Sequence, residues 1–227
     1  MILRILNFKF AFTLSEVLVT LGIMGVVSAM TVPTLMQNYQ RKSYVTQLHK
    51  VYNDFSQAVM QYVNDKNALN IKEAGLVSDD AIDFWIKNYF RVVQDCGTDY
   101  SPCFADKYSS LNGTNLGAFA DNDYLHYVLS NGSSVGIKAR GTCILFEVDV
   151  NGQQGPNILG RDLFAVKIYP DGQLDDANPS VNVYSEVHPT PDEREEVFIK
   201  YCSVGTNEGH SWGCFGKILN DNWEMTY

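Results

Sequence analysis

The amino-acid sequence predicts an α+β protein, in which a long amino-terminal helix packs on a small antiparallel β-sheet domain. The apolar run 12–36 is long enough to cross a bilayer as a helix, which takes about 20 residues. From 37 to 65, apolar residues recur at three- and four-residue steps, the period of one helix face. After residue 123, apolar stretches alternate with turn dipeptides, as in antiparallel strands.

The long helix is predicted to run from Phe12 to about Asp65, on the order of 80 Å at 1.5 Å per residue. Its first half is apolar on all sides, whereas its second half is an amphipathic stalk helix with one apolar stripe. That stripe comprises Tyr44, Leu48, Val51, Tyr52, Phe55, Val59, Tyr62 and Val63. His49 lies in the stalk, and its position favours a packed or solvated residue over a catalytic base.

Residues 66–227 are predicted to form one globular domain. A second helix is indicated by Ser78 as its cap and by an apolar stripe at Ile82, Trp85, Ile86 and Tyr89. The Asn131-Gly132 pair predicts a hairpin, because both residues accept positive φ. Further strands are predicted at TCILFEVDV and LFAVKIY, with a turn at Asp171-Gly172 after the second.

The chain is acidic, with 17 Lys and Arg against 26 Asp and Glu and a net charge of −9. Binding to duplex nucleic acid needs clustered Lys and Arg to neutralise phosphates, and the sequence has no such stripe. No direct nucleic-acid binding is therefore expected. With 227 residues, the chain suits one membrane anchor plus one compact domain.

The amino-terminal residues predict how the anchor is oriented and processed. Residues 1–11 contain Arg4 and Lys9, a positive flank typical of the cytoplasmic side, so the domain is expected on the other side of the membrane. The small residue Ala11 stands before Phe12, ahead of the apolar run, so cleavage there would leave the helix attached. We thus predict a leader at 1–11, a transmembrane or filament-core helix at 12–36 and a stalk helix at 37–65.

The segment AFTLSEVLVTLGIMGVV, followed by VPTL, resembles the amino terminus of type IV pilins and type II secretion pseudopilins. The resemblance rests on the spacing of Phe12, Thr13, Leu14, Glu16 and Pro33. It implies that prepilin peptidase cuts between Ala11 and Phe12 and methylates the new amine of Phe12. The family usually has Gly before the cut, whereas this chain has Ala11.

The same resemblance implies a long helix on a small sheet domain, a single pass through the inner (cytoplasmic) membrane, and later a place in a filament. The expected partners are copies of this chain or other pilin-like subunits, prepilin peptidase and an inner-membrane assembly platform. Glu16, Gly22, Gly25 and Pro33 are the expected assembly residues. Pro33 removes a helical hydrogen bond, so the helix either unwinds from Gly22 to Pro33 in a filament or tolerates a kink.

Glu16 is the single charged residue of the run 12–36. A charge at membrane depth is costly and is usually retained for a partner or a function. Cleavage would create a positive amine at Phe12, one helical turn away. Glu16 is expected to pair with that amine, either within one subunit or between neighbouring subunits.

The loop 149–164, DVNGQQGPNILGRDLF, is a candidate calcium site. Asp149, Asn151, Asn157 and Asp162 supply side-chain oxygens, the ligands that calcium prefers, and some pseudopilins bind calcium in a loop of their sheet domain. The loop does not fit an EF-hand, because Gln154 stands where that motif needs glycine. The alternative is that these side chains hydrogen-bond their own turns. No other cofactor is expected.

The five cysteines all follow the apolar run. Their spacing predicts two local disulfides, Cys96–Cys103 and Cys202–Cys214, as expected of a domain outside the cytoplasm. Cys143 is left as a small buried residue of a strand. A zinc site from Cys143, Cys202, His210 and Cys214 is less favoured, because no Cys-x-x-Cys pair is present.

These patterns favour a filament subunit over an enzyme. The four histidines are scattered, and the sequence contains no metalloprotease, hydrolase or phosphate-binding motif. The alternative is a membrane-tethered binding or adhesion protein, outside the cytoplasm, that does not polymerise. Replacing Glu16 separates the two, since only a filament subunit would need it for assembly.

Overall fold

The computed structural model describes residues 13–117, 123–177, 182, 184–203, 205 and 212–227. The chain divides into two compact units, Met1–Gln40 and Arg41–Tyr227. The predicted leader and Phe12 lie outside the described residues. The fold is α+β, with the helical stalk packed on an antiparallel sheet inside the second unit, as the sequence predicts.

Helix α1 spans Leu14–Asp65 and starts two residues after the predicted position. It is helical through Pro33, so the described chain shows no unwound segment at that proline. Residues 14–36, called here the exposed apolar segment, have no buried side chain; Leu18 is 61% exposed and Met24 65%. This helix is long and apolar enough to span a membrane, by length and composition.

The part of α1 in the second unit has one buried face. The predicted stripe is buried at most positions, with Tyr44, Tyr52 and Val63 only partly covered. Two further residues, Val45 and Ala58, are also buried; their small side chains gave little periodic signal. Phe55 lies at the centre, stacked on Phe146 with ring centroids 4.6 Å apart.

Helix α2 spans Asp79–Tyr89 and packs on α1. The Ser78 side chain accepts a hydrogen bond from the Ala81 N–H at 3.3 Å, which satisfies a free donor at the helix start. Trp85 is fully buried and donates from Nε1 to the Ala58 carbonyl of α1 at 3.2 Å. This bond and the packed rings hold the two helices together.

Within the described residues, eight strands follow α2. Six of them form one antiparallel sheet in the order β1-β4-β5-β6-β7-β8, and β2 pairs with β3 in a separate ribbon. The strands are β1 (Val92–Gly97), β2 (Tyr108–Ser109), β3 (Asn115–Gly117), β4 (Leu125–Leu129), β5 (Ser134–Arg140), β6 (Cys143–Asp149), β7 (Leu163–Ile168) and β8 (Leu174–Asp175).

Both predicted turns join strands. Gly132 has φ +89° in the β4–β5 hairpin, and Gly172 has φ +85° between β7 and β8. The Gly172 N–H donates to the Tyr169 carbonyl at 2.8 Å, which closes the second turn. Positive φ is inexpensive for glycine, so these residues fix where the chain reverses.

Strand β1, which contains Cys96, was not predicted from the sequence. The strand pairs with β4 through two register irregularities, and half of its residues are exposed. An irregular edge strand lacks the apolar alternation by which strands are recognised. Strands β2, β3 and β8 are only two or three residues long and leave no clear sequence pattern either.

The carboxyl-terminal region adds two short helices. Helix α3 spans Pro191–Val197 and continues as a π-helical turn, Phe198–Cys202, and α4 spans Cys214–Asn220. Thr190 and Glu193 form a capping box at the start of α3. Phe215 and Ile218 of α4 are fully buried in the core shared with α1, so this region covers part of the sheet.

Candidate functional site

The start of α1 is closed by a reciprocal pair of hydrogen bonds between Thr13 and Glu16. One carboxylate oxygen of Glu16 accepts the Thr13 backbone N–H at 2.8 Å and the Thr13 hydroxyl at 2.7 Å. In return, the Thr13 hydroxyl oxygen accepts the Glu16 N–H at 3.3 Å. This pattern is a capping box, which satisfies N–H groups that a helix start leaves without partners.

The capping box gives Glu16 a partner that does not depend on cleavage. A negative charge in the first turn also favours the helix through its dipole. The sequence signal was present, because Thr-x-x-Glu before an apolar run is typical of a helix start. Ala11 and Phe12 lie outside the described residues, so pairing of Glu16 with a Phe12 amine stays a prediction.

The other predicted assembly residues lie further along α1. Leaving aside the backbone of its own helix, a Cβ added at Gly22 or Gly25 would meet no atom within 4 Å, so no contact among the described residues explains a glycine at either position. Small residues allow close approach of another helix. Pro33 has no N–H, so the helical hydrogen bond to the Ala29 carbonyl is missing. These features belong to a helix surface that this chain leaves open.

The β6–β7 loop is organised by two buried carboxylates, Asp149 and Asp162. Asp149 accepts the Tyr108 hydroxyl at 2.5 Å and the Asn151 N–H at 3.2 Å. Asp162 accepts the N–H groups of Asn157 at 2.7 Å and Ile158 at 2.6 Å. The carboxylates therefore hold their own turns, which is the alternative to a calcium site.

Two side-chain amide oxygens of the same loop have no hydrogen-bond partner. The Oδ1 atoms of Asn151 and Asn157 are buried and accept no hydrogen bond. The Nδ2 of Asn151 instead donates to the carbonyls of Gln154 at 2.6 Å and Gly155 at 3.2 Å. Buried acceptors of this kind usually have a partner, and carboxylate and amide oxygens suit a hard cation. The donor set thus fits calcium in its chemistry, although no group of three His, Cys, Asp or Glu residues in the described ranges forms a metal cluster.

The electrostatics of the loop also favour a bound cation. Burial raises the pKa of Asp149 to about 8, and the nearby charge of Asp162 contributes in the same direction. Burial also raises the pKa of Asp162. Two buried carboxylates that disfavour each other's ionisation would be stabilised by a bound cation. If calcium binds here, it would supply positive charge beside the two buried carboxylates.

Two arginines, Arg161 of this loop and Arg41 of α1, interact electrostatically in a way that the sequence did not predict. Arg41 is in α1 and Arg161 directly precedes Asp162; both are partly exposed, yet their Nε atoms are buried and have no hydrogen-bond partner. Burial, and then the positive charge of Arg41, lower the pKa of the Arg161 guanidinium. Tyr227 lies close to both arginines, and its hydroxyl donates to the Gly160 carbonyl at 3.0 Å. The folded chain thus gives Arg161 an unfavourable interaction with the charge of Arg41 and a favourable one with the charge of Asp162.

The structure contains disulfides between Cys96 and Cys103 and between Cys202 and Cys214, while Cys143 is free and buried. Because Cys202 and Cys214 are bonded to each other, they do not act as zinc thiolates, and His210 lies outside the described residues. The second disulfide packs on Gly160, where an added Cβ would lie 2.5 Å from the Cys214 sulfur. It thereby supports the base of the β6–β7 loop.

The three described histidines lie in separate surroundings. His49 stacks on Trp223 with ring centroids 4.0 Å apart. His126 is buried beside Tyr100 and Phe104. His188 stacks on the Tyr169 ring at 3.9 Å and has Nε2 3.1 Å from Asp171.

Comparisons with known proteins identify no relative of this chain. No protein-family model, curated protein or solved structure matches the chain. A functional proposal for this chain therefore has to rest on its own residues and their geometry.

Proposed function

We propose that the chain is a structural subunit of a type IV pilus-like or type II secretion pseudopilus filament. The observation that carries the proposal is the exposed apolar segment, 14–36, with the Glu16 carboxylate at its start. Its residues also resemble the amino terminus of pilins and pseudopilins, which supports the assignment.

The exposed apolar segment is suited to a helix that moves from the membrane into a filament. A helix that is apolar on every side and uncovered in its own chain needs lipid or other helices around it. Lipid would cover it in the inner membrane, and neighbouring subunits would cover it in the filament. The open surface at Gly22 and Gly25 would let a neighbouring helix approach closely.

The proposed sequence of events begins with insertion, with residues 1–11 in the cytoplasm and the domain on the other side. Prepilin peptidase then cuts between Ala11 and Phe12 and methylates the Phe12 amine. An inner-membrane assembly platform next moves the subunit into the filament, where it stacks against copies of itself or other pilin-like subunits. The sequence contains no phosphate-binding glycine motif, so we assign the energy source to another component.

Mass spectrometry of the mature amino terminus tests this proposal. The chain is purified from the membrane of cells that contain a prepilin peptidase, and from matched cells that lack the peptidase. An N-methylated Phe12 in the first preparation only is the expected result. An intact Met1 in both preparations overturns the proposal.

A second candidate function is a tethered binding protein that does not polymerise. A polar groove of about 360 Å³ lies between α1 and the β4–β5 hairpin and favours this alternative. Its charged and amide side chains include Lys50, Asp54, Gln57, Arg91 and Asn131. A variant with Glu16→Gln separates the functions, because only filament assembly is expected to need the charge.

A further inference from the structure

The free thiol of Cys143 and the amine of Lys167 lie on the same face of the sheet. Strands β6 and β7 pair Leu145 with Lys167, and Cys143 stands two residues before Leu145, so all three side chains share one face. Cys143 and Lys167 are thus diagonal neighbours, a separation that a long side chain spans. Both are buried, with Cys143 1% and Lys167 0% exposed. Phe146, which stacks on α1, belongs to the opposite face.

The sulfur and the nitrogen meet at one backbone oxygen. The Lys167 Nζ donates to the Ser185 carbonyl at 2.5 Å, and the Cys143 thiol donates to the same oxygen at 3.8 Å. A side-chain hydrogen bond also joins Lys167 to Cys143 directly. On another side, Nζ lies 4.3 Å from the centroid of the Tyr169 ring. These contacts hold the Lys167 nitrogen beside the Cys143 sulfur.

The surroundings make the amine a local base for the thiol. Burial lowers the pKa of the Lys167 ammonium, although Cys143 and the charges of Asp175 and Glu186 act in the opposite direction. A buried lysine that has lost its proton serves as a general base and as a nucleophile. Burial also raises the pKa of the Cys143 thiol, an effect that Lys167 opposes. The thiol therefore depends on Lys167 to accept its proton.

A single exposed segment of chain covers this pair. Ser185, whose carbonyl both groups contact, is only partly buried, and its neighbours Tyr184 and Val187 are 54% and 76% exposed. Segments with so little burial open locally at a low free-energy cost. Hydrogen peroxide is only slightly larger than water, so such an opening admits it to the sulfur.

We propose that Cys143 and Lys167 form a sulfenamide, a covalent bond between Sγ and Nζ, when a peroxide oxidises the thiol. In the first step the sulfur attacks the peroxide and the O–O bond breaks, which gives a sulfenic acid and one water molecule. The thiol proton leaves through the Lys167 amine. In the second step the amine attacks the sulfenic sulfur, the S–O bond breaks, and the hydroxyl group leaves with an amine proton as a second water molecule. Sulfur loses two electrons, and the peroxide gains them.

The bond would protect the thiol reversibly. A sulfenic acid that is not captured is oxidised further to sulfinic and sulfonic acids, which thiols do not reduce. An uncaptured thiolate also attacks disulfides, of which this chain has two. A thiol reductant cleaves the S–N bond and restores both side chains. The proposal requires neither cleavage before Phe12 nor a filament, so it is independent of the proposed function.

Peptide mapping of the full chain tests the proposal. The chain is purified in maltoside, treated with hydrogen peroxide, denatured, alkylated and digested with trypsin. Arg161 lies between the two residues, so trypsin places Cys143 in the peptide 141–161 and Lys167 in another. Mass spectrometry is expected to find these peptides joined, lighter than their sum by two hydrogen atoms and uncut after Lys167. Dithiothreitol is expected to separate them.

Two methionine variants identify the amine. Lys167→Met removes it, and Lys138→Met is the matched control, because Lys138 of β5 lies opposite Leu145 from the other side and its Nζ contacts Asp123 at 2.6 Å. Lys167→Met is expected to lose the joined peptides, and sulfenic acid formed at Cys143 should then react with dimedone. Lys138→Met is expected to form the joined peptides as the wild type does. Thermal unfolding before treatment checks that both variants fold.

The proposal is overturned if peroxide leaves Cys143 of the wild type as a thiol, or converts it to an acid without joined peptides. It is also overturned if Cys143 bonds to another lysine or to its own backbone, since the second product would remain within one peptide. Equal loss of the joined peptides in Lys138→Met would contradict the assignment to Lys167. If Lys167→Met does not fold, the wild-type peptides alone decide, because they identify both bonded residues without a variant.

Discussion

The backbone N–H and the hydroxyl of Thr13 both donate to one carboxylate oxygen of Glu16, at 2.8 and 2.7 Å. Glu16 therefore has two separable properties, its shape as a capping acceptor and its negative charge. A glutamine in this position keeps the acceptor, since Gln also serves in a capping box, but loses the charge. A valine in place of Thr13 removes the hydroxyl that accepts the Glu16 N–H, but it leaves the charge of Glu16.

Glu16→Gln is expected to abolish filaments while membrane insertion and the helix start remain. The physical reason is that the proposed pairing with the Phe12 amine needs a charge, whereas the cap needs only an oxygen. Filaments are counted by electron microscopy of sheared cells, and insertion is measured by carbonate extraction. Equal amounts of the inserted chain in wild type and variant make the filament count interpretable.

Thr13→Val is the matched control, because it removes the capping hydroxyl and leaves the charge. It is expected to reduce filaments less than Glu16→Gln does. If the two variants are equally impaired, the cap matters for assembly as much as the charge does. If Glu16→Gln still makes filaments, the assembly role assigned to Glu16 is wrong.

Local signals in this chain could be predicted from the sequence, and contacts made by tertiary folding could not. Ser78 starts α2 and Asn131-Gly132 turns a hairpin because each acts within a few residues of itself. The Thr13–Glu16 cap was equally local, and it was missed because Glu16 was interpreted by its charge alone. Arg41 and Arg161 are far apart in the sequence, so the effect of the Arg41 charge on the pKa of Arg161 arises only in the folded chain.

Calcium is expected to raise the unfolding midpoint of the full chain relative to chelator. The buried oxygens of Asn151 and Asn157 lack partners, and a ligand that binds only the folded state stabilises it by about 2.7 kcal/mol at one hundred times its dissociation constant. Thermal unfolding in maltoside micelles, followed by circular dichroism, measures the shift. Identical midpoints with calcium and with chelator would show that calcium does not bind and that the loop side chains only hydrogen-bond their own turns.

Asn157→Gly tests whether calcium binds at the β6–β7 loop. Asn157 has φ +55°, which glycine adopts without strain, so the change removes the side-chain oxygen and spares the backbone. The variant is expected to lose most of the calcium response and little stability in chelator. A full calcium response in this variant would place the ion elsewhere.

The Cys202–Cys214 disulfide is expected to stabilise the second unit by about 3 kcal/mol. The bond closes a loop with a sequence separation of 12 and joins the π-helical turn to α4. Changing both cysteines to alanine should lower the free energy of unfolding by that amount and remove part of the sensitivity to reductant. Urea unfolding of the full chain in maltoside, with and without reductant, measures both effects.

Cys143→Ala is the control for the disulfide, because Cys143 is the free cysteine. It should keep the full sensitivity to reductant. Alkylation of the denatured, unreduced wild-type chain is expected to label Cys143 alone. Labelling of Cys202 or Cys214 in that experiment would contradict the pairing.

His126 is expected to make the folded chain less stable as the pH falls below about 6.5. The side chain is 2% exposed, and burial lowers its pKa from 6.5, while the backbone near Gly97 and Thr98 and the charge of Asp99 act in the opposite direction. Below pH 6.5 the unfolded chain binds a proton that the folded chain still excludes, so protonation favours unfolding. At higher pH the histidine is neutral in both states and contributes no pH dependence.

His126→Gln tests this directly, because glutamine offers an amide in place of the ring and does not titrate. The variant is expected to be less stable than the wild type at pH 8, by roughly 1–2 kcal/mol for lost packing against Tyr100 and Phe104. That difference should shrink as the pH falls from 6.5, by at most about 1.4 kcal/mol per pH unit. Urea unfolding at a series of pH values gives both curves, and a difference that stays constant down to pH 5 would show that the buried ring is protonated as readily as in the unfolded chain.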